Sequence, residues 1–300
     1  MKTFTLLCFV TAAGLVITSG CKKLSSSRKE TPAPDPGYTI NPNTAHIIAD
    51  YDFNDTTLTN HGWAKTFEDN FDGDLSKWYV EKGGSHGELQ LALPANATTS
   101  GGILQLTAKR ETVSGPTIVD SAGTSTFNFS SAWLISKSLV SACTSTPHVR
   151  IVVRMKTVTS YGLSTVLFSH GDNWPVNGEI VMAQVNDNNR KQYGTSYSYG
   201  TTPGQDLVKH AYQFNPTDGD LSTAYHVYVT DWSQGQLTYY IDGSVVEIKT
   251  AGGYVSSMFD RSHHLSVKLA VGGHYYDGAD PSGFQGGSMY VDYIKVFTSK

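Results

Sequence analysis

The chain has 300 residues, a formal net charge of −4 and only 16% charged side chains. That balance lacks the clustered Lys and Arg on which nucleic-acid binding depends, so no nucleic-acid partner is expected. The length suits one large core, and 29 glycines with 17 tyrosines fit a β protein with many turns.

Residues 1–20 have the pattern of a targeting segment. Lys2 supplies a positive start, and the apolar run from Phe4 to Ile17 falls short of the ~20 residues that a membrane helix needs. Thr18-Ser19-Gly20-Cys21 is similar to a bacterial lipobox, with Thr18 where leucine is usual. The expectation is a lipoprotein: residues 1–20 are removed and Cys21 is lipidated. The lipid is then the only contact with the membrane. Lys22 stands where an inner-membrane retention signal would have Asp, which points to the outer membrane of the cell envelope. The side faced is left open. An ordinary signal peptide with a chance cysteine is the competing reading.

Residues 21–45 are rich in Ser, Lys and Pro with little to bury, and read as a polar tether. Cys8 lies in the removed segment, so Cys143 is left without an internal disulfide partner. It reads as a small buried hydrophobe. No zinc-like His/Cys spacing and no phosphate-binding glycine loop is present.

Residues 46–300 read as a single domain and an expected monomer. Short runs alternate apolar with polar residues: Ile103 to Ala108, Val149 to Met155, Tyr225 to Thr230, Leu237 to Ile241 and Met289 to Phe297. That alternation predicts half-buried strands. Ile241-Asp242-Gly243-Ser244 predicts a tight hairpin, because Asp-Gly accepts positive φ. No long helical period appears. The fold class is all-β, a sandwich of two antiparallel sheets.

Several segments together resemble glycoside hydrolase family 16, the laminarinase and lichenase family with a concanavalin-like jelly roll. FEDNFDGDLSKW (Phe67 to Trp78) is similar to its opening strand, and Glu88-Leu89-Gln90 to its next cleft segment. LQLTAKRE, HVRIVVRMK, YHVYVTDWSQGQLTYYIDGSVV, KLAVGG and SMYVDYIKVF follow in the family's order, out to Phe297.

The resemblance implies a catalytic strand bearing Glu-x-Asp-x-x-Glu: nucleophile, supporting Asp and acid/base. Residues two apart on a strand share a face, and a bulge returns the fifth residue to that face. A retaining glycosidase holds its two carboxyls about 5 Å apart. Here Glu179 matches the nucleophile, but Val181 replaces the Asp and Gln184 the acid/base. A carboxamide can hydrogen-bond a sugar but gives no proton at neutral pH, and general acid–base catalysis contributes about 10²–10⁴-fold. Val181 should desolvate Glu179 and raise its pKa. Asp172 and Asp187 are the candidates for a relocated acid, although both sit in turn-like composition.

For sugar binding, the resemblance points to Trp174, kept at a family cleft position, while Ser164 replaces a second cleft Trp. Glu88, His170, Tyr197 and Tyr199 are further candidates, with Tyr193, His274, Tyr275 and Tyr276 nearby. Asp292 matches a position where the family binds a structural calcium ion with backbone carbonyls. Three functions stay open. The first is a lipoprotein that binds a β-glucan or related polysaccharide, galactans included, with catalysis lost or strongly impaired. The second is an active retaining endo-β-glycosidase. The third is an envelope module with no sugar ligand.

Overall fold

The computed structural model describes residues 38–40, 44–85, 87–119, 121–204, 209–250 and 255–299. The expected signal peptide, Cys21 and most of the tether lie outside them.

The described residues form the predicted two-sheet β sandwich, with 11 strands in one sheet and seven in the other. The larger sheet is centred on His148–Lys156, flanked by His226–Ser233 and the long closing strand Gly287–Ser299. Each predicted run lies in a strand, save that Tyr225 precedes His226–Ser233, and strand pairing is antiparallel except that Gln90–Ala92 runs parallel to Thr124–Ser131. The hairpin at Asp242-Gly243 closes as expected: Ile241 pairs Ser244, with φ of 46° and 82° at the two turn residues.

Period-two alternation builds the core. Inward residues such as Leu104, Leu106, Ile151, Val153, Tyr228 and Tyr239 from the larger sheet meet Leu134, Leu167, Ile180 and Val267 from the smaller one. Burying each such side chain stabilises by about 1.5–3 kcal/mol. On the far face of the larger sheet, Val152, Val227, Val229 and Phe297 form a second apolar cluster with Leu58. Leu58 comes from a five-residue helix, Asp55–Thr59, capped by the Asn54 side chain.

The seven-stranded sheet carries the candidate site. Its strands run in the order Lys209–Pro216, Gln192–Tyr199, Glu179–Asn186, Leu163–His170, His263–Val271, Trp133–Val140 and Trp78–Val80. One face packs on the larger sheet. The outer face bears Glu179.

Candidate functional site

The Glu179 strand holds its three motif positions on one face through a bulge. Leu167 pairs Ala183 while Phe168 pairs Val181, so Met182 has no opposite residue. Met182 and Ala183 both enter the core, and Gln184 returns to the outer face with Glu179 and Val181. Cross-strand register then arranges that face in rows. His264, His170, Glu179 and Ser198 form the first. Ser266, Phe168, Val181 and Ser196 form the second, and Lys268, Val166, Gln184 and Gly194 the third.

Glu179, Val181 and Gln184 line a cavity of about 270 Å³ together with Glu88, Lys268 and Tyr275. Burial pushes the pKa of Glu179 above the usual carboxylate range. The Lys268 charge and a hydrogen bond from the Trp174 side chain oppose that push without cancelling it. Gln184 commits its amide nitrogen to Asn186 Oδ1 at 3.3 Å, and Ser164 Oγ donates to the same oxygen at 2.6 Å. Ser164 therefore fixes a polar floor where the family places a ring.

Glu88 reaches the cavity, but both its oxygens are engaged. Lys268 Nζ lies 2.5 Å from Oε1, and Gln90 Nε2 donates to Oε2 at 2.6 Å. Lys268 also sits 5.1 Å from the Trp133 ring centroid and 5.8 Å from that of Phe168. Trp174 lies in the turn before the strand and is 36% exposed. His170 stacks on Phe168 at 5.6 Å, and its buried Nε2 has no partner. Burial holds its pKa below the ordinary value.

Two expected binding tyrosines face the wrong way. Tyr197 pairs Ile180, a core residue, and is 1% exposed, while Ser198 is the residue opposite Glu179. Tyr199 shares the face of Tyr197, away from the cavity. Tyr193 and Tyr276 are core aromatics as well. His274 and Tyr275 do line the cavity.

The sequence reading passed over Tyr212 and Phe214. Both pack on Tyr275, with ring centroids 5.9 Å away in each case. Gly194 makes room for this wall: a Cβ there would lie 2.1 Å from the Tyr212 hydroxyl oxygen. The alternating Tyr212-x-Phe214 pattern was the available signal. Lys268, within KLAVGG, lines the cavity as well, and strand alternation alone does not single it out.

Neither relocated acid meets the geometry of a retaining pair. Asp187 lies just past the far end of the strand that Glu179 begins, roughly 20 Å or more away at ~3.3 Å per strand residue, against the ~5 Å needed. Its pKa is pushed up to about 6 by burial, opposed by Arg190. Asp172 extends past His170, on the side away from Gln184, and pairs with His264 Nε2 at 3.0 Å.

On the larger sheet, Asp292 is ion-paired with Arg154 Nη1. Arg154 Nε donates to the carbonyl of Tyr51 at 2.8 Å, and Nη2 to that of Asp50 at 3.3 Å. Two carbonyls and a carboxylate, the donor set for calcium, already converge on a guanidinium. The residues therefore do not fit the ion, and among the described residues no group of three or more His, Cys, Asp or Glu is arranged for a metal. Cys143 is half-buried rather than a core hydrophobe. Hydrogen bonds to Ser145 and Thr146 lower its pKa to about 7.

The sequence model for glycosyl hydrolases family 16 matches residues 94–295. The clotting factor G alpha subunit of Tachypleus tridentatus is 29% identical over 78% of this chain, which spans 34% of that relative's length. The β-glucanase of Rhodothermus marinus is 26% identical over 78% of this chain and 85% of its own. Among solved structures, the laminarinase catalytic domain from Thermotoga maritima superimposes with a TM-score of 0.67 at 22% identity. The match covers 80% of this chain and 99% of the other, and it supports the jelly-roll fold.

Proposed function

The chain belongs to the glycosyl hydrolases of family 16, and we propose that it binds a β-glucan or a related polysaccharide with hydrolysis lost or strongly impaired. The observation that carries this reading is the outer face of the Glu179 strand. The position that should protonate the leaving oxygen holds an amide, and burial favours the neutral form of the one retained carboxyl. A retaining mechanism asks for the reverse: an ionised nucleophile and a proton donor about 5 Å away. The other nearby carboxylates are tied, Glu88 to Lys268 and Asp172 to His264.

The same features suit recognition. Glu179 can hydrogen-bond a sugar hydroxyl, Gln184 can do so without reacting, and Trp174 and Tyr275 offer ring faces to a pyranose. A relative named as a β-glucanase supports glucan as the ligand class. In this proposal Cys21 carries the lipid and residues 21–45 hold the domain off the outer membrane.

The test pairs affinity-gel retardation on laminarin, lichenan and agarose with a product assay. The unmodified protein should be retarded on at least one polysaccharide and release no oligosaccharide. Activity should appear with Gln184→Glu plus Val181→Asp. Retention of Glu179 and its bond from Trp174 favour the second reading, an active endo-β-glycosidase. Steady hydrolysis by the unmodified protein, abolished by Glu179→Gln, would establish that reading instead. Retardation by no polysaccharide would leave the envelope module.

A further inference from the structure

The strand at the far edge of the seven-stranded sheet carries three residues, Trp78, Tyr79 and Val80. Trp78 fixes which way they face. Its indole donates to the buried Asp69 carboxylate at 2.7 Å, and its ring stacks on Phe71 at 6.1 Å, inside the core. Alternation then turns Tyr79 outward, onto the face that bears Glu179, where it is 53% exposed.

Register places Tyr79 in line with the site. Tyr79 pairs Ile135, Ile135 pairs Ser266, Ser266 pairs Phe168, and Phe168 pairs Val181. The row crosses four inter-strand steps, roughly 19 Å at ~4.8 Å each. Its surface is apolar along the way. Ile135 is half-buried, and Trp133 covers Ser266, its Nε1 lying 3.5 Å from Ser266 Oγ. Phe168 then meets Trp133 at 6.2 Å. At the outer end Lys137 Nζ lies 5.4 Å from the Tyr79 ring centroid. A large exposed aromatic on a sheet edge needs a reason, because edges are normally blunted with charge. Continuity with the Glu179 cavity supplies one.

We propose that Tyr79 is a remote sugar-stacking site: an uncharged β-linked glycan seated over Val181 continues across Ile135 and Trp133 and lays a pyranose face on the Tyr79 ring. The site rests on the glycan-binding reading and adds its direction and reach. The chain runs across the strands toward the Trp78–Val80 edge, and the footprint is several sugar residues long. Trp133 is the intermediate platform, with Lys268 and Glu88 closing its inner side.

Calorimetry with neutral β-gluco-oligosaccharides of increasing length, from the trisaccharide to the octasaccharide, tests the proposal on the full chain, Tyr79→Ala and Tyr79→Phe. Affinity of the unmodified protein should rise with length. Tyr79→Ala should match it on the trisaccharide and lose about tenfold on the longest ligands, while Tyr79→Phe keeps the affinity. Unchanged trisaccharide binding shows that the variants are folded. If Tyr79→Ala follows the unmodified protein at every length, the remote site is wrong and the glycan-binding reading stands. If the unmodified protein binds no ligand in the series, the remote site falls together with glucan as the ligand class.

Discussion

A buried glutamate and a half-buried one show how partners separate structural from functional carboxylates. Glu247 is 0% exposed between the sheets, and each of its oxygens is used. Lys249 pairs with one, and Thr195 Oγ1 and Asn215 Nδ2 donate to the other. Glu179 lies on the outer face of the smaller sheet, where burial raises its pKa against the opposing pull of the Lys268 charge and the Trp174 side chain. The first carboxylate is saturated and joins two sheets. The second is under-supplied and open to a cavity, so a ligand's hydroxyls can complete its hydrogen bonding.

Breaking the saturated site should have the largest effect. Removing one member of a buried pair leaves an unpaired charge and costs about 3–5 kcal/mol. Glu247→Ala should lower unfolding free energy by that amount in urea titrations. A loss below 1 kcal/mol would mean that Lys249 finds water and that the contrast with Glu179 is overstated.

Histidines repeat the contrast. His263 is buried with both nitrogens partnered: Nδ1 with Ser169 Oγ at 3.0 Å, and Nε2 with the Asn177 carbonyl at 2.7 Å. It thereby holds the turn that leads into Glu179. Burial lowers its pKa to about 4. Above pH ~6.5 it is neutral in both states and its contribution is complete. As pH falls toward 4 the unfolded chain binds the proton first, and stability drops by about 3 kcal/mol. Chemical unfolding at pH 7 and pH 4 should show this loss, reduced in His263→Gln. An unaltered pH dependence in the variant would remove His263 as its source. His170, whose Nε2 lacks a partner, is shifted in the same direction by burial.

Much of this was legible from sequence, and the rest failed for identifiable reasons. Alternation gave the strands, and Asp242-Gly243 gave the hairpin. The resemblance placed Glu179, Val181 and Gln184 on one face, and the bulge at Met182 puts them there. Alternation in SYSYG correctly gave Tyr197 and Tyr199 a common face. Which face depends on their register with Ile180, set by a neighbouring strand rather than by local sequence. The Glu88–Lys268 pair joins residues 180 apart in the chain, beyond any local pattern. Asp292 matches a calcium position of the family, and its pairing with Arg154, 138 positions away, is beyond any local pattern.

Asp292 belongs with Glu247 as a carboxylate supplied from within the chain. Chelator or millimolar calcium should leave the Tm of the unmodified protein unchanged. Arg154→Met should cost about 2 kcal/mol, the scale of hydrogen bonds made by a charged donor. A Tm that falls on chelation would show that the guanidinium does not stand in for the ion.

The smallest expected change bears most directly on the site. Glu179 has a folded pKa above its unfolded value, so its contribution is fully present below pH ~4.5 and is lost as pH rises through the folded pKa. At neutral pH the carboxyl is therefore a liability to folding. Glu179→Gln keeps the shape and removes the ionisation, so it should raise Tm at pH 7 and leave it unchanged at pH 4, opposite in sign to Glu247→Ala. The variant should still bind polysaccharide, because an amide can also donate to a hydroxyl. A Tm that falls at pH 7 would mean that the Trp174 and Lys268 contacts outweigh burial. Glu179 would then be held as an anion, which is the form that a nucleophile requires.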